Sequence, residues 1–337
     1  MTTNIDAVVD ELLHFDKDAM IESITSQMRQ LLRTRLRRRG LIVAISGGID
    51  SSCSAALAVE AIGKDKVFGL LLPEQDSSSF SSDRGQMLAE HLGIEYLKHN
   101  IAPALEAIGC YQWRDEAIQT TFPEYTKGWK NKIAIEGGTS GQINRFKLVV
   151  QNPEGQQFEK RLGLREYLQI VAATNYKQRI RKTVEFFHAD RLNYAVVGTP
   201  NRVEYDQGFF VKNGDGSADI KPIAHLYKTQ VYALAKHLGL PEEICNAVPT
   251  TDTYSLSQGQ DEFYYALPYK EMDIALWSLN NGKPASFLAE KLAISEEQAV
   301  YIYKDIETKR KTTAVLHWQG ITLEKIEGPV TSIPLGE

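Results

Sequence analysis

Leu41-Ile42-Val43-Ala44-Ile45-Ser46-Gly47-Gly48-Ile49-Asp50-Ser51-Ser52 joins an apolar run to a glycine turn and then to an alanine-rich segment, Cys53 to Ile62. An unbroken apolar run bounded by turn residues reads as a strand buried on both faces, and the alanine-rich segment reads as a helix. The order is therefore strand, tight loop, helix. A loop at that junction gathers backbone N–H groups and hydroxyls at a helix N-terminus, where the helix dipole favours negative charge. Glycine keeps side chains away from approaching phosphate oxygens. A carboxylate inside such an anion cradle, Asp50, calls for a cation beside the anion, and Mg2+ prefers one or two carboxylates plus phosphate oxygens. A bare Gly-Gly turn is explained by the bend alone. The full string SGGIDSS is more specific, and it lacks the lysine of the GxxxxGK[ST] loop.

Working outward, Val67 to Leu72 reads as a second buried strand ending at Pro73. Arg84 to Leu92 reads as a helix closed by Gly93, and Ile94 to Leu97 as a short third strand. Further on, Tyr194 to Thr199 reads as a strand and Lys228 to Leu238 as a helix stopped by Gly239. Apolar strands alternating with helices predict an α/β fold, a doubly wound parallel sheet with helices on both faces. Residues 1–40 form an N-terminal helical segment whose basic end, Arg33 to Arg39, suits a helix C-terminus. The interval 109–164 is polar, Gly- and Trp-containing, and reads as an insert. Within it Arg145–Val150 and Gln157–Leu162 flank Asn152-Pro153-Glu154-Gly155 as a β-hairpin. The catalytic region spans 41–273, and 274–337 is a helical tail, with Ser295-Glu296-Glu297-Gln298 as a capping box.

Composition narrows the function classes. The 337 residues are 43% hydrophobic and 24% charged, enough for a full core in an ordinary globular protein. A formal net charge of −5 argues against nucleic acid as the main partner. No run is long and apolar enough for a membrane span, and the N-terminus, with Asp6, Asp10 and Glu11, lacks the order of a signal peptide, so the expected address is the cytoplasm. Cys53, Cys110 and Cys245 are far apart and odd in number, which builds neither a disulfide framework nor a CxxC site and suggests buried, reduced thiols. None of the seven histidines has metal spacing.

The SGGIDSS loop resembles the signature of the ATP pyrophosphatases, which split ATP into AMP and pyrophosphate to activate a carboxylate or carbonyl. Downstream, Val196-Val197-Gly198-Thr199-Pro200-Asn201-Arg202-Val203-Glu204, then Gly208 to Ile223, then Leu226 to Val231 resemble the NAD synthetases. Asn175 to Arg181, Pro249 to Asp252 and Gln260 to Glu262 extend the likeness. By that resemblance Ser46, Gly47, Gly48, Asp50, Ser51 and Ser52 hold the pyrophosphate of ATP. Thr199, Lys228 and Thr250 contact the nucleotide, and Asp50 and Glu204 bind Mg2+. Arg179, Phe209, Lys212, Asp215 and Asp219 serve the acceptor side, with Asp50 and Lys228 closest to the chemistry. The implied reaction joins ATP, ammonia and deamido-NAD in a homodimeric enzyme, through an acyl-adenylate.

Taken singly, Lys228 also reads as a first-turn surface lysine, Thr250 as a loop cap, and Asp215 and Asp219 as turn residues. Val203, the stretch Tyr205-Asp206-Gln207 and the long insert depart from the family pattern and fall near the expected acceptor side. They leave open amidation of a different carboxylate. A nucleotide sensor without catalysis would be favoured by loss of a magnesium carboxylate, and both are present. A thiolating enzyme acting on transfer RNA would want a cysteine pair and a basic surface. The 40 residues before Leu41 leave no room for a fused glutaminase, so nitrogen is expected from free ammonia or a separate glutaminase partner.

Overall fold

The computed structural model describes residues 4–136, 145–247, 254–256, 259, 264 and 267–324. Two helices, α1 (Ile5–Leu13) and α2 (Lys17–Leu31), precede the first strand, β1 (Leu41–Ala44). The chain then alternates through α3 (Ile49–Ile62), β2 (Val67–Leu71), α4 (Ser79–Leu92) and β3 (Glu95–Lys98). After α5 (Ala102–Ala107) and α6 (Cys110–Thr121) comes an antiparallel sheet, β4 (Lys130–Glu136), β5 (Arg145–Gln151) and β6 (Gln157–Arg161). The long helix α7 (Leu164–Leu192) returns the chain to β7 (Ala195–Val197). Helices α8 (Arg202–Gln207), α9 (Lys228–His237), α10 (Glu242–Cys245), α11 (Tyr269–Asn280), α12 (Ala285–Leu292) and α13 (Glu296–His317) complete it.

The main sheet is four-stranded and parallel, in the order β3-β2-β1-β7. Successive side chains of a strand point to opposite faces. Leu41, Val43 and Ile45 accordingly join one core with α2, α3 and α9, while Ile42, Phe68, Leu70 and Val196 join a second core with α5, α6 and α7. The doubly wound parallel sheet expected from the apolar runs is therefore the observed one. The chain leaves β1 for β2 on one side and reaches β7 on the other, so the order reverses at β1. Crevices form outside the carboxyl ends of strands at such a reversal.

Several boundaries differ from the sequence expectation. Helix α4 begins at Ser79 rather than Arg84, because the Ser78 hydroxyl accepts from Ser81 N–H and caps it. The predicted hairpin is present as β5 and β6, but it is the outer part of a three-stranded sheet, since β4 pairs along the whole of β5. The 109–164 interval also contains α6. Position 273 lies inside α11, which Pro268 opens. The Ser295 capping box starts α13 as expected. The basic stretch closes α2: Arg37 takes a left-handed conformation and Arg38 donates to Asn193 Oδ1 at 2.7 Å, tying this end to the cap of α7. Among the described residues no helix is long and apolar enough to cross a membrane.

Candidate active site

At the carboxyl ends of β1, β2 and β7 lies a cavity of about 800 Å³. The loop after β1 forms one wall. Gly47 has φ +79°, and a Cβ there would stand 2.3 Å from the Ser81 carbonyl oxygen, so only glycine fits between the loop and α4. Gly48 is the N-cap of α3 with no capping side chain, which leaves the first-turn N–H groups to meet whatever occupies the cavity. Ser51 Oγ donates to Gly48 O at 3.1 Å, accepts from Ser46 N at 3.2 Å and lies 3.0 Å from Ser46 Oγ. These bonds hold the turn in shape. Ser52 is fully buried behind it and donates to Gly48 O at 2.8 Å.

Three charged side chains converge beside this loop. Lys228, at the start of α9, is buried, and its ammonium is ion-paired with Asp50. Burial opposes the lysine's charge, but the Asp50 and Glu204 carboxylates outweigh it and hold its pKa above the ordinary lysine range. Asn201 aligns the two acids. Its Nδ2 donates to Asp50 Oδ1 at 3.2 Å, and its Oδ1 accepts from the N–H groups of Val203 and Glu204. Glu204 Oε2 in turn accepts from Asn201 N at 3.1 Å, a capping box that starts α8. Below Lys228, the buried Asp273 accepts from the N–H groups of Lys228 and Thr229 at 3.2 and 2.7 Å, anchoring α9. Burial pushes the Asp273 carboxyl up to about 7 despite those bonds.

Ser46, Gly48, Asp50, Ser51, Thr199, Glu204 and Lys228 all line the cavity, as do Arg179, Phe209, Lys212 and Asp215. Arg179 Nε donates to the Lys212 carbonyl at 3.3 Å, and Asp215 Oδ1 accepts from Val211 N at 2.8 Å. Burial raises the Asp215 pKa. Gly47 and Ser52 shape the loop from behind rather than lining the space. Asp219 stands apart: it is exposed, and its carboxylate accepts from Val196 N at 2.8 Å, bracing the middle of β7. Thr250, with Pro249, Thr251, Asp252 and Gln260 to Glu262, lies outside the described residues.

Beyond Asn175 to Arg181, other contributors were not singled out from the sequence. The lining residues of α7 recur at helical spacing from Tyr167 to Glu185 and include the buried pair Lys182–Glu185, 2.7 Å apart. Helix α13 of the expected tail supplies Asp305, Lys309 and Thr312. Their signal in the sequence is only the polar stripe of an amphipathic helix, which resembles any solvated face. The departures at Asp206 and Gln207 are tied to this helix through the Asp206 side chain and the Gln207 carbonyl. Arg310 donates to both oxygens of Asp206, at 2.5 and 2.9 Å, and Thr313 Oγ1 donates to Gln207 O at 3.2 Å.

Among the described residues no group of three or more Asp, Glu, His or Cys could hold a metal ion unaided. Asp50 and Glu204, both lining the cavity and both acting on one ammonium, are a donor set suited to Mg2+, which keeps waters and takes phosphate oxygens as its remaining ligands. Burial raises the pKa of all three cysteines, Cys110 to about 11, so none is set up as a nucleophile.

The chain is similar to known proteins. An NH(3)-dependent NAD(+) synthetase of Rhizobium meliloti is 53% identical over 308 residues, covering 91% of this chain and 92% of that protein. One of Mesorhizobium japonicum is 50% identical over 327 residues, covering 97% and 100%. Among solved structures, an NMN synthetase of Francisella tularensis aligns with a TM-score of 0.63 at 22% identity, over 92% of this chain and 99% of that one. An NH3-dependent NAD synthetase of Campylobacter jejuni aligns with a TM-score of 0.59 at 21% identity, over 92% and 100%. At that identity the likeness is one of fold. The family described as NAD synthase matches residues 20–125 and 143–313 and leaves out 126–142, where β4 lies. With the matched residues spanning both the Ser46–Ser52 loop and the Asn201–Glu204 box, the chain belongs to the NAD synthase family.

Proposed function

We propose that this protein amidates deamido-NAD to NAD with ammonia, consuming ATP and releasing AMP and pyrophosphate. The observation that carries the reading is the convergence of Asp50, Glu204 and Lys228 beside an uncapped helix N-terminus, within a chain about half identical to ammonia-dependent NAD synthetases along nearly its whole length.

A carboxylate oxygen of the nicotinate attacks the α-phosphorus of ATP and the bond to pyrophosphate breaks. Ammonia then attacks the acyl carbon, loses a proton and displaces AMP. Charge develops on phosphate oxygens in the first step, so fixed positive ends are what the site must supply. The N–H groups at the start of α3 and the Lys228 ammonium supply them, with Ser46, Gly48 and Ser51 shaping the cradle. Mg2+, held by Asp50 and Glu204, would neutralise phosphate charge when bound. Thr199 would contact the nucleotide, and Thr250 keeps the phosphate contact that the family resemblance implies. Arg179, Phe209, Lys212 and Asp215 would hold the acceptor. Ammonia arrives free or from a separate glutaminase, and the active form is a homodimer in the cytoplasm.

The test is pyrophosphate release from ATP, Mg2+ and ammonium with a panel of carboxylates. Release with deamido-NAD, matched by NAD, is expected; release only with another acid would reassign the acceptor. Glu204→Ala should lose at least about 100-fold in rate and require more Mg2+ for half-maximal activity. An unchanged magnesium requirement would remove Glu204 from the metal site.

A further inference from the structure

One strand that the family match omits, β4, adds to a wall of the cavity that matched residues otherwise build. Ile135 on β4 and Phe146 on β5 line it together with Tyr167 and Val171 of α7 and with Tyr254. The Phe146 and Tyr167 rings are stacked, 4.2 Å between centroids and 18° between planes, and both remain partly exposed. Tyr254 is fixed to the added strand: Asn131 N donates to Ser255 Oγ at 2.8 Å, and Leu256 N donates to Asn131 O at 3.1 Å. A rigid, flat, apolar wall with an aromatic pair already stacked suits a purine base, which presents a π-face to it.

Two purines belong to the reaction as proposed, one in ATP and one in the acceptor dinucleotide, and position separates them. The ATP phosphates belong at the Ser46–Ser51 loop, and beside that loop the cavity has a second apolar lining, Ile45, Leu70, Leu71 and Leu72 at the ends of β1 and β2. That lining lies within reach of the ATP base. The aromatic wall lies at the far end of α7. Tyr167 precedes Arg179 by 12 residues and Glu185 by 18, which at about 1.5 Å per residue places it about 18 and 27 Å along the helix. A helix of 29 residues, about 43 Å long, also far outreaches a strand of five at about 16 Å, so the Tyr167 end stands beyond the sheet edge where the phosphates sit. An extended acceptor with its carboxylate at the loop has its other end here.

We infer that the β4–β5 wall, with Phe146 and Tyr167 as its stacking pair, binds the adenine half of the dinucleotide acceptor and makes the enzyme prefer a dinucleotide to a mononucleotide. The inference rests on the amidation proposed above. Steady-state kinetics on the full-length enzyme test it with three substrates varied in turn: ATP, deamido-NAD, and nicotinate mononucleotide, which carries the same carboxylate without the adenosine half. Phe146→Ala and Tyr167→Ala should each lower kcat/KM for deamido-NAD by about 10- to 100-fold, the cost of one base-on-aromatic stack. The KM for ATP and the kcat/KM for the mononucleotide should stay within about twofold of wild type, which also shows that the variants fold. Phe146→Tyr should restore most of the loss. Should Phe146→Ala fail to fold, Phe146→Leu keeps the bulk and removes the π-face, with the same expectation. A rise in the ATP KM instead would give the wall to ATP and overturn the inference, as would equal losses with both acceptors or no loss with either. If the wild type converts neither acceptor, it is the amidation reading that fails.

Discussion

Asp50 and Lys228 depend on each other. The lysine is buried, the aspartate nearly so, and each has the other as its nearest opposite charge. Removing one member of a buried pair strands the other, at a cost of about 3–5 kcal/mol, and here the lower end is expected because the Asp50 side chain keeps 17% exposure. Lys228→Met should therefore cost about 3 kcal/mol by denaturant unfolding. Adding Asp50→Asn should recover stability while leaving pyrophosphate release abolished. A double variant no more stable than Lys228→Met would mean that the pair is not coupled. Asp273 gives a pH signature. Its folded-state pKa, about 7, lies above the ordinary carboxyl value near 4, so the folded protein holds this proton more tightly than the unfolded chain. The stabilisation is complete below pH 4 and is lost as pH rises through 7. Asp273→Asn keeps an oxygen acceptor for only one of Lys228 N–H and Thr229 N–H, a loss that is the same at every pH, and it cannot ionise. The stability of wild type relative to this variant should fall between pH 4 and 7, by roughly 4 kcal/mol at most. A difference independent of pH would contradict the raised carboxyl.

At the scale of elements, α13 is a working part of the cavity. It rests on the end of α8 at Gly208, which has φ +71° and where an added Cβ would stand 2.3 Å from Thr313 Cβ. Gly208→Ala should both strain the backbone and push α13 outward, destabilising by about 1–3 kcal/mol and raising acceptor KM more than ATP KM. Unchanged acceptor binding would make α13 a mere cover. The sheet and its loop were legible in the sequence because buried parallel strands leave continuous apolar runs, such as Leu41 to Ile45 and Val67 to Leu72, and because SGGIDSS can serve few purposes. Much of the cavity's far side was not. The Asp206–Arg310 pair joins residues 104 apart, and the stack of Phe146 on Tyr167 forms between the middle strand of the antiparallel sheet and a helix. Local periodicity carries no trace of such pairings. β4 was missed because Lys130 to Glu136 is Lys-Asn-Lys followed by only three apolar residues, Ile133, Ala134 and Ile135, a run too short and without the period of two that marks a half-buried strand.

For the whole molecule, the reversal of strand order at β1 opens a crevice that the surrounding parts enclose. The Ser46–Ser51 loop, Asn201–Glu204 box, α7, α13 and the antiparallel sheet each contribute a wall, and the space of about 800 Å³ falls in the range of a substantial ligand site. Walls on several sides suit an acyl-adenylate, which must be shielded from water until ammonia arrives. The most direct measurement starts from deamido-NAD carrying ¹⁸O in its nicotinate carboxylate, with ATP, Mg2+ and ammonium, and follows the label by mass spectrometry. Amidation through an acyl-adenylate predicts one ¹⁸O in AMP for each NAD formed and none in pyrophosphate. Label appearing in inorganic phosphate or pyrophosphate, or NAD forming without labelled AMP, would contradict it.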